Sequence, residues 1–216
     1  MAPLFQFLIR IDHSVFRAIH SIAGKNPVLD WIVRVGADDH VVPVVLAILV
    51  IGTLLFARGH SGRDRAMRAI ICAVAGALIA MIILFVLNGL FFRPRPFTTL
   101  TVHHLLFYHN TDSSFPSNAA TLGFALAFGV FMYWKRLGAI MIALAAFVSL
   151  ARIAAGIHYP LDVIGGLLLG LGSVLAVRAA EPAYAPLARA LNSALDRLLG
   201  SWKPSIRAEA EGGREP

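Results

Sequence analysis

Residues 152–162 read R-I-A-A-G-I-H-Y-P-L-D, and Arg152, His158 and Asp162 in this stretch could do chemistry together. Arg152 closes one long apolar run; His158 and Asp162 open the next. A cation on one side and a histidine–carboxylate pair on the other compose an anion site. Pro160 fits the first turn of a helix, where its missing N–H would have no partner anyway. His158 then stands at the helix entrance with Asp162 one turn on, so the two side chains can meet. A carboxylate that accepts one ring N–H of a histidine fixes the tautomer and makes the other nitrogen the better nucleophile. Free backbone N–H groups at the helix start favour an anion there as well. The plainer alternative is a boundary histidine capping a helix beside a snorkelling arginine.

The runs that flank this stretch read as membrane helices. The chain has 216 residues, 58% hydrophobic and 14% charged, and a mean hydropathy of +0.74. Soluble domains carry about a quarter charged residues, so this composition belongs to an integral membrane protein of one domain. The net charge of +7 does not point to nucleic acid, because of where it sits. Arg58, Arg63, Arg65 and Arg68 form one segment, Lys135 and Arg136 another, and Arg178, Arg189, Arg197 and Lys203 follow the last apolar run. That is the positive-inside pattern, which assigns all three segments to the cytoplasm. Cys72, the single cysteine, falls in an apolar run and reads as core. The N-terminus lacks a signal peptide's apolar stretch and cleavage site, so none is expected to be removed.

The expected fold is all-α: a bundle of about five transmembrane helices plus an N-terminal interfacial amphipathic helix. Residues 4–23 alternate apolar side chains with Arg10, Asp12, His13 and Arg17 and are too polar to span. The spans read as Val41–Ala57 (with a start nearer Leu29 also open), Ala69–Phe92, Ser117–Trp134, Leu137–Ile153 and Pro160–Val177. Arg93–Pro116 is a loop. The run of Gly and Ala from Gly165 to Ala176 reads as close helix packing. Residues 181–216 leave the membrane as a cytoplasmic tail, with Leu187, Leu191, Ala194, Leu195 and Leu198 on one face and a disordered end. In this topology Arg95, Ser117, Arg152 and His158 are separated by even numbers of crossings. All four therefore share the face opposite the basic segments, external or periplasmic.

N-G-L-F-F-R-P-R-P-F (Asn88–Phe97), S-S-F-P-S-N-A-A (Ser113–Ala120) and A-R-I-A-A-G-I-H-Y-P-L-D (Ala151–Asp162) together resemble the type 2 phosphatidic acid phosphatase family. That family's pattern is Lys-x6-Arg-Pro, Pro-Ser-Gly-His and Ser-Arg-x5-His-x3-Asp. The first block, the S-S-F-P-S opening and the N-terminal D-H-S-V-F…N-P-V-L-D are most similar to bacterial undecaprenyl-diphosphate phosphatases of the bacitracin-resistance type. The resemblance implies that Arg95 and Arg152 hold phosphate oxygens, and that Ser117 donates from its hydroxyl and backbone beside Asn118. His158 would be the nucleophile and Asp162 its orienting partner. It implies hydrolysis of a polyprenyl diphosphate at the outer face of a bacterial inner membrane, through a phosphohistidine, by a membrane phosphatase domain over residues 1–180. Phosphoryl transfer needs positioning and charge stabilisation, which arginines and helix N-termini supply. No carboxylate cluster suited to Mg²⁺ adjoins the loop, where Asp112 stands alone, so neither metal nor cofactor is implied.

The chain departs from the family pattern at three positions. Asn88 stands where the general family has lysine, an amide for a charge, with a helix–helix hydrogen bond as its alternative role. Ala151 replaces a serine. Ala119 occupies the place of the histidine that would protonate the leaving oxygen and later activate water; P-S-N-A-A reads as P-S-N-H-A with one side chain removed, engineered rather than lost naturally. Arg93 is either a further phosphate ligand or an interfacial anchor. His103, His104 and His109 would line the entrance or meet the distal phosphate, since no acidic or Cys partner clusters with them for a metal. The expected partners are the lipid substrate and the bilayer, with no nucleic acid; a homo-oligomer is compatible with the sequence. The alternatives are a phosphatidate, phosphatidylglycerophosphate or lipid A phosphatase, and a non-enzymatic lipid binder or transporter.

Overall fold

A computed structural model describes residues 3–38, 40–57, 59–100, 102 and 112–211, and every regular element among them is a helix. In chain order these are α1 (Pro3–His20), α2 (Pro27–Ala37), α3 (Val41–Phe56), α4 (Gly59–Leu90), α5 (Pro96–Thr99), α6 (Asn118–Phe131), α7 (Lys135–Ala154), α8 (Pro160–Ala179) and α9 (Glu181–Glu211). Helices α4, α7 and α8 are long and apolar enough to cross a membrane, and α3 and α6 are shorter apolar helices. Leu78, Ile82, Phe85 and Val86 on α4 are exposed. A band of large apolar side chains of this kind has lipid, not water, as its solvent. The molecule is an integral membrane protein.

Helix α6 is the centre of the bundle. Its 14 residues rise about 21 Å, short of the ~30 Å of a hydrocarbon core. It packs against α3, α4, α7 and α8, so it meets protein instead of lipid on most sides. Ser113, Ser114, Pro116 and Ser117, which lead into it without helical structure, are buried as well. Irregular backbone at membrane depth is tolerated where protein covers it in this way. The close packing read from the small residues of α8 is realised at Gly166 and Gly170. A Cβ at either would fall 2.9 Å from the Ser117 or Thr121 carbonyl oxygen of α6 and its cap. Two helix N-termini therefore lie side by side, tied by Ser117 N donating to the Asp162 carbonyl at 3.0 Å.

The structure also refines the expected boundaries and faces. The first span does not start near Leu29: α2 is a separate helix, with Pro27 in its first turn and Asn26 Oδ1 accepting from Val28 N (2.8 Å) and Leu29 N (3.3 Å). Arg63, Arg65 and Arg68 ride on the first turns of α4 and not in a loop, and Arg58 lies outside the described residues. The N-terminal segment is helical and exposes Phe7, Leu8, Ile11 and Val15, yet its other face is docked on α7 and α8 with Asp12 and Phe16 buried. Among the described side chains of α9, Ala188 and Asn192 are buried while Leu187, Leu191 and Ala194 face outward. Leu198 and Lys203 side chains and residues 212–216 lie outside what is described.

The end of the bundle away from α5 carries Arg63, Arg65, Arg68 and Arg178. Arg63 binds Asp196 of α9 at 2.5 Å, and Arg68 binds Glu181 at 2.9 Å and Asp64 at 2.8 Å. Arg65 and Arg178 lie over the Trp134 and Tyr133 rings at 5.9 and 5.4 Å.

Candidate active site

The turn from α7 to α8 explains how Arg152 and His158 meet. Gly156 adopts φ +80°, a left-handed conformation that a Cβ disfavours. Gly156 N then donates to the Ile153 carbonyl and Ile157 N to the Arg152 carbonyl, both at 3.0 Å. This paired closure ends the helix and folds the chain back, so His158 returns alongside the last turn. Pro160 occupies the first turn of α8, as its ring geometry predicts.

His158 is fully buried. Its Nδ1 lies 3.0 Å from the Ser114 carbonyl oxygen, which can only accept, so Nδ1 carries the proton. Nε2 is then the nitrogen with the lone pair. Arg95 Nη1 and Arg152 Nη2 both approach that atom at 3.4 Å. Burial pushes the imidazole down to about 4; Asp162 opposes this shift, while the Arg152 and Arg95 charges add to it. The ring is a neutral, oriented base between two cations.

Each arginine is itself held. Arg152 Nη1 donates to the Ala37 carbonyl at 3.1 Å, at the end of α2. Arg95 Nη2 donates to Asp112 Oδ1 at 2.8 Å, and Nη1 also reaches the Ile157 carbonyl at 3.4 Å. Asp112 thus engages Arg95, and Asn118 Nδ2 lies 3.5 Å from its other oxygen.

The direct His158–Asp162 hydrogen bond expected from the spacing is not made. Asp162 Oδ2 is 3.8 Å from Nδ1, beyond hydrogen-bond range. As the third residue of α8, Asp162 accepts from the Tyr159 backbone N–H at 2.8 Å, which draws it to the helix start. Ser114 fills the gap, with Oγ donating to Asp162 Oδ2 at 2.5 Å and lying 3.4 Å from Nδ1.

Other expected site residues are placed differently. Arg93 does not face the arginine pair: its Nη1 donates to Asp162 Oδ1 at 2.6 Å, its Nη2 pairs with Asp12, and its guanidinium lies 4.2 Å over the Tyr159 ring. Both of its terminal nitrogens engage carboxylates, Asp162 and Asp12. Ser117 caps α6, its Oγ accepting from Ala120 N at 3.4 Å. That leaves its hydroxyl proton free to donate, but its backbone N–H is spent on Asp162. Asn88 is half-buried on α4, and its Oδ1 has no hydrogen-bond partner among the described residues. Ala119 lies in the first turn of α6, partly buried against the main core. His103, His104 and His109 lie outside the described residues. Among the described residues, no three His, Cys, Asp or Glu side chains converge as metal ligands would.

Residues 69–183, from within α4 to the start of α9, match the model of the PAP2 superfamily. The chain belongs to the PAP2 superfamily. It is 32% identical to the bacitracin transport permease protein BcrC of Bacillus licheniformis over 167 residues, 77% of this chain and 79% of that protein. It is also 32% identical to the undecaprenyl-diphosphatase BcrC of Bacillus subtilis, over 74% of this chain and 79% of that protein. The putative undecaprenyl-diphosphatase YbjG of Escherichia coli is 35% identical over 49% of this chain and 54% of its own length. Among solved structures, Aquifex aeolicus LpxE superposes with TM-score 0.60 at 24% identity, covering 77% of this chain and 93% of its own. A PAP2-type phosphatidylglycerolphosphate phosphatase from Bacillus subtilis gives 0.52 at 22% identity, over 83% and 94%. The PAP2 match begins within α4, so two site contacts come from outside it: Asp12 on α1 and the Ala37 carbonyl on α2.

Sequence reasoning missed Ser114, Asp12 and the Ala37 carbonyl. Ser114 stands inside the quoted S-S-F-P-S block, which was the available signal. Asp12 had none beyond the D-H-S-V-F resemblance.

Proposed function

We propose that this protein hydrolyses undecaprenyl diphosphate to the monophosphate and inorganic phosphate; its relatives BcrC of Bacillus subtilis and YbjG of Escherichia coli bear the names undecaprenyl-diphosphatase and putative undecaprenyl-diphosphatase. The observation that carries the reading is the lone pair of His158 Nε2 held between Arg95 and Arg152. Nε2 attacks the terminal phosphorus; a P–N bond forms, the bridging P–O bond breaks, and the lipid monophosphate leaves with the electron pair. The two guanidiniums carry the charge on the equatorial oxygens, with Ser117 Oγ and the α6 N-terminus beside them. Water then attacks phosphorus, the P–N bond breaks and inorganic phosphate departs. Nδ1–H on the Ser114 carbonyl keeps the ring in the nucleophilic tautomer throughout, and Asp162 balances the positive charge that the phosphorylated ring acquires. Ala119 supplies neither the acid for the first step nor the base for the second, so the chain as it stands turns over slowly.

The basic groups at the other end of the bundle orient the site outward, towards the periplasm or exterior of a bacterial inner membrane, with five helices crossing and α9 on the cytoplasmic side. A transport reading has the name of one relative in its favour. The grouping of polar side chains at the helix ends favours surface chemistry over a mid-membrane path.

The test is phosphate release by the purified full-length protein and its Ala119→His variant, on undecaprenyl diphosphate, phosphatidate, phosphatidylglycerophosphate and a lipid A phosphate. Fastest release from the diphosphate by the variant, undiminished by EDTA, is expected. No release from any substrate by the variant would return the protein to the binder or transporter class.

A further inference from the structure

Asp12 opens the N-terminal D-H-S-V-F block, far in sequence from the three site blocks, lies outside the matched family region and has no role in the two steps above. Its side chain is nonetheless wholly buried. Oδ1 accepts from Leu161 N at 2.8 Å, one of the otherwise partnerless donors that open α8. Oδ2 pairs with Arg93 Nη2, while Nη1 of the same guanidinium binds Asp162 Oδ1 at 2.6 Å. The three groups form a line from α1 to the catalytic helix: carboxylate, guanidinium, carboxylate.

Charge decides what this line does. Asp162 has three donors: Tyr159 N, Ser114 Oγ and Arg93. A cation that close to a carboxylate cancels its field, and an Asp162–Arg93 pair alone would present a neutral dipole to His158. With Asp12 added the line carries one net negative charge. The other charged groups around the ring are cationic, Arg95 and Arg152, apart from Asp112 beyond Arg95. The negative line is thus the main counterweight to two cations on the nucleophile.

We propose that Asp12 is a positioning residue for catalysis: it neutralises Arg93 from α1, so that Asp162 keeps the negative charge that supports bond formation at His158 Nε2. The proposal rests on the phosphate-site reading above. It also gives α1 a part in the chemistry: undocking that helix withdraws the carboxylate from both Arg93 and Leu161.

Two anions separate this role from a structural one. Inorganic phosphate uses the arginine clamp alone, whereas orthovanadate additionally forms a bond to the imidazole nitrogen. Both are titrated calorimetrically into the full-length protein, unaltered at Ala119, so that turnover is not required. Asp12→Asn keeps an acceptor for Leu161 N and removes the charge together with the acceptor for Arg93 Nη2. Expected is a loss of vanadate affinity of about tenfold, the scale of outer partners of a ligating histidine, with phosphate affinity changed less than about twofold. Adding Arg93→Gln to Asp12→Asn removes the uncompensated cation and should restore most of the vanadate affinity. Vanadate binding unchanged in Asp12→Asn, equal weakening of both anions, or a double variant no better than the single one would each overturn the proposal. Should Asp12→Asn not fold, the double variant is read alone, and vanadate affinity more than about tenfold below the parent overturns it. A parent chain that bound neither anion would sink the phosphate site itself, and this proposal with it.

Discussion

Arg95 and Arg152 come from different elements, yet each sets one terminal nitrogen 3.4 Å from the same atom, Nε2 of His158. Neither approach is a strong hydrogen bond at that length, so the pair is spaced to admit an anion against the ring. Arg95→Gln and Arg152→Gln should each remove a charge-assisted contact, about 1.5–3 kcal/mol or roughly ten- to a hundredfold in phosphate affinity. Calorimetry with phosphate and vanadate measures this. Unchanged affinity in both variants would remove the clamp.

Burial holds the folded His158 imidazole neutral down to about 4, against an ordinary value of 6.5 in the unfolded chain. Between those values the unfolded state binds more protons. Stability should therefore fall as pH drops from 6.5 towards about 4 and stop falling on this account below it. Thermal unfolding in detergent across that window should show a steeper decline for the parent than for His158→Asn. Parallel curves would mean that the ring is not buried in its neutral form.

Ser114 donates to Asp162 at 2.5 Å while its carbonyl holds the histidine. Ser114→Ala leaves the carbonyl in place but takes a donor from a buried carboxylate. A hydrogen bond to a charged group contributes about 1.5–3 kcal/mol, so the unfolding midpoint should drop accordingly. A variant as stable as its parent would show that water replaces the hydroxyl.

Positioned acid–base groups contribute about 10²–10⁴-fold, so Ala119→His should raise turnover on that order. The gain should be larger for a monophosphate than for a diphosphate. The diphosphate's leaving group is itself a phosphate monoester with a second pKa near ~6, whereas an alkoxide cannot leave unprotonated. Acid-labile phosphoprotein should accumulate on the diphosphate in the unaltered chain. Equal rates for the two proteins on all substrates would detach position 119 from the reaction.

A cysteine placed at Thr99, exposed beside the site, should react with an impermeant reagent on intact cells. One placed at Ser61, on the first turn of α4, should react only after permeabilisation. Native Cys72 is buried and adds little background. The reverse labelling pattern would turn the site to the cytoplasm.

Much of this protein is written locally in its chain. Long apolar runs and their basic flanks specify membrane helices and their ends, because helix period and hydropathy need only neighbouring residues. Gly156 and Pro160 are stop and start signals of the same local kind, and they return His158 to Arg152 without help from elsewhere. What tertiary structure alone decided is which partner each buried charge takes. Spacing brought Asp162 near His158, but the α6–α8 approach at Gly166 and Gly170 inserts Ser114 between them. Arg93 takes Asp12 as a partner only because α1 docks on its far side. A buried ion must find its counter-charge wherever packing brings one, and that contact joins residues far apart in sequence. No periodicity records it.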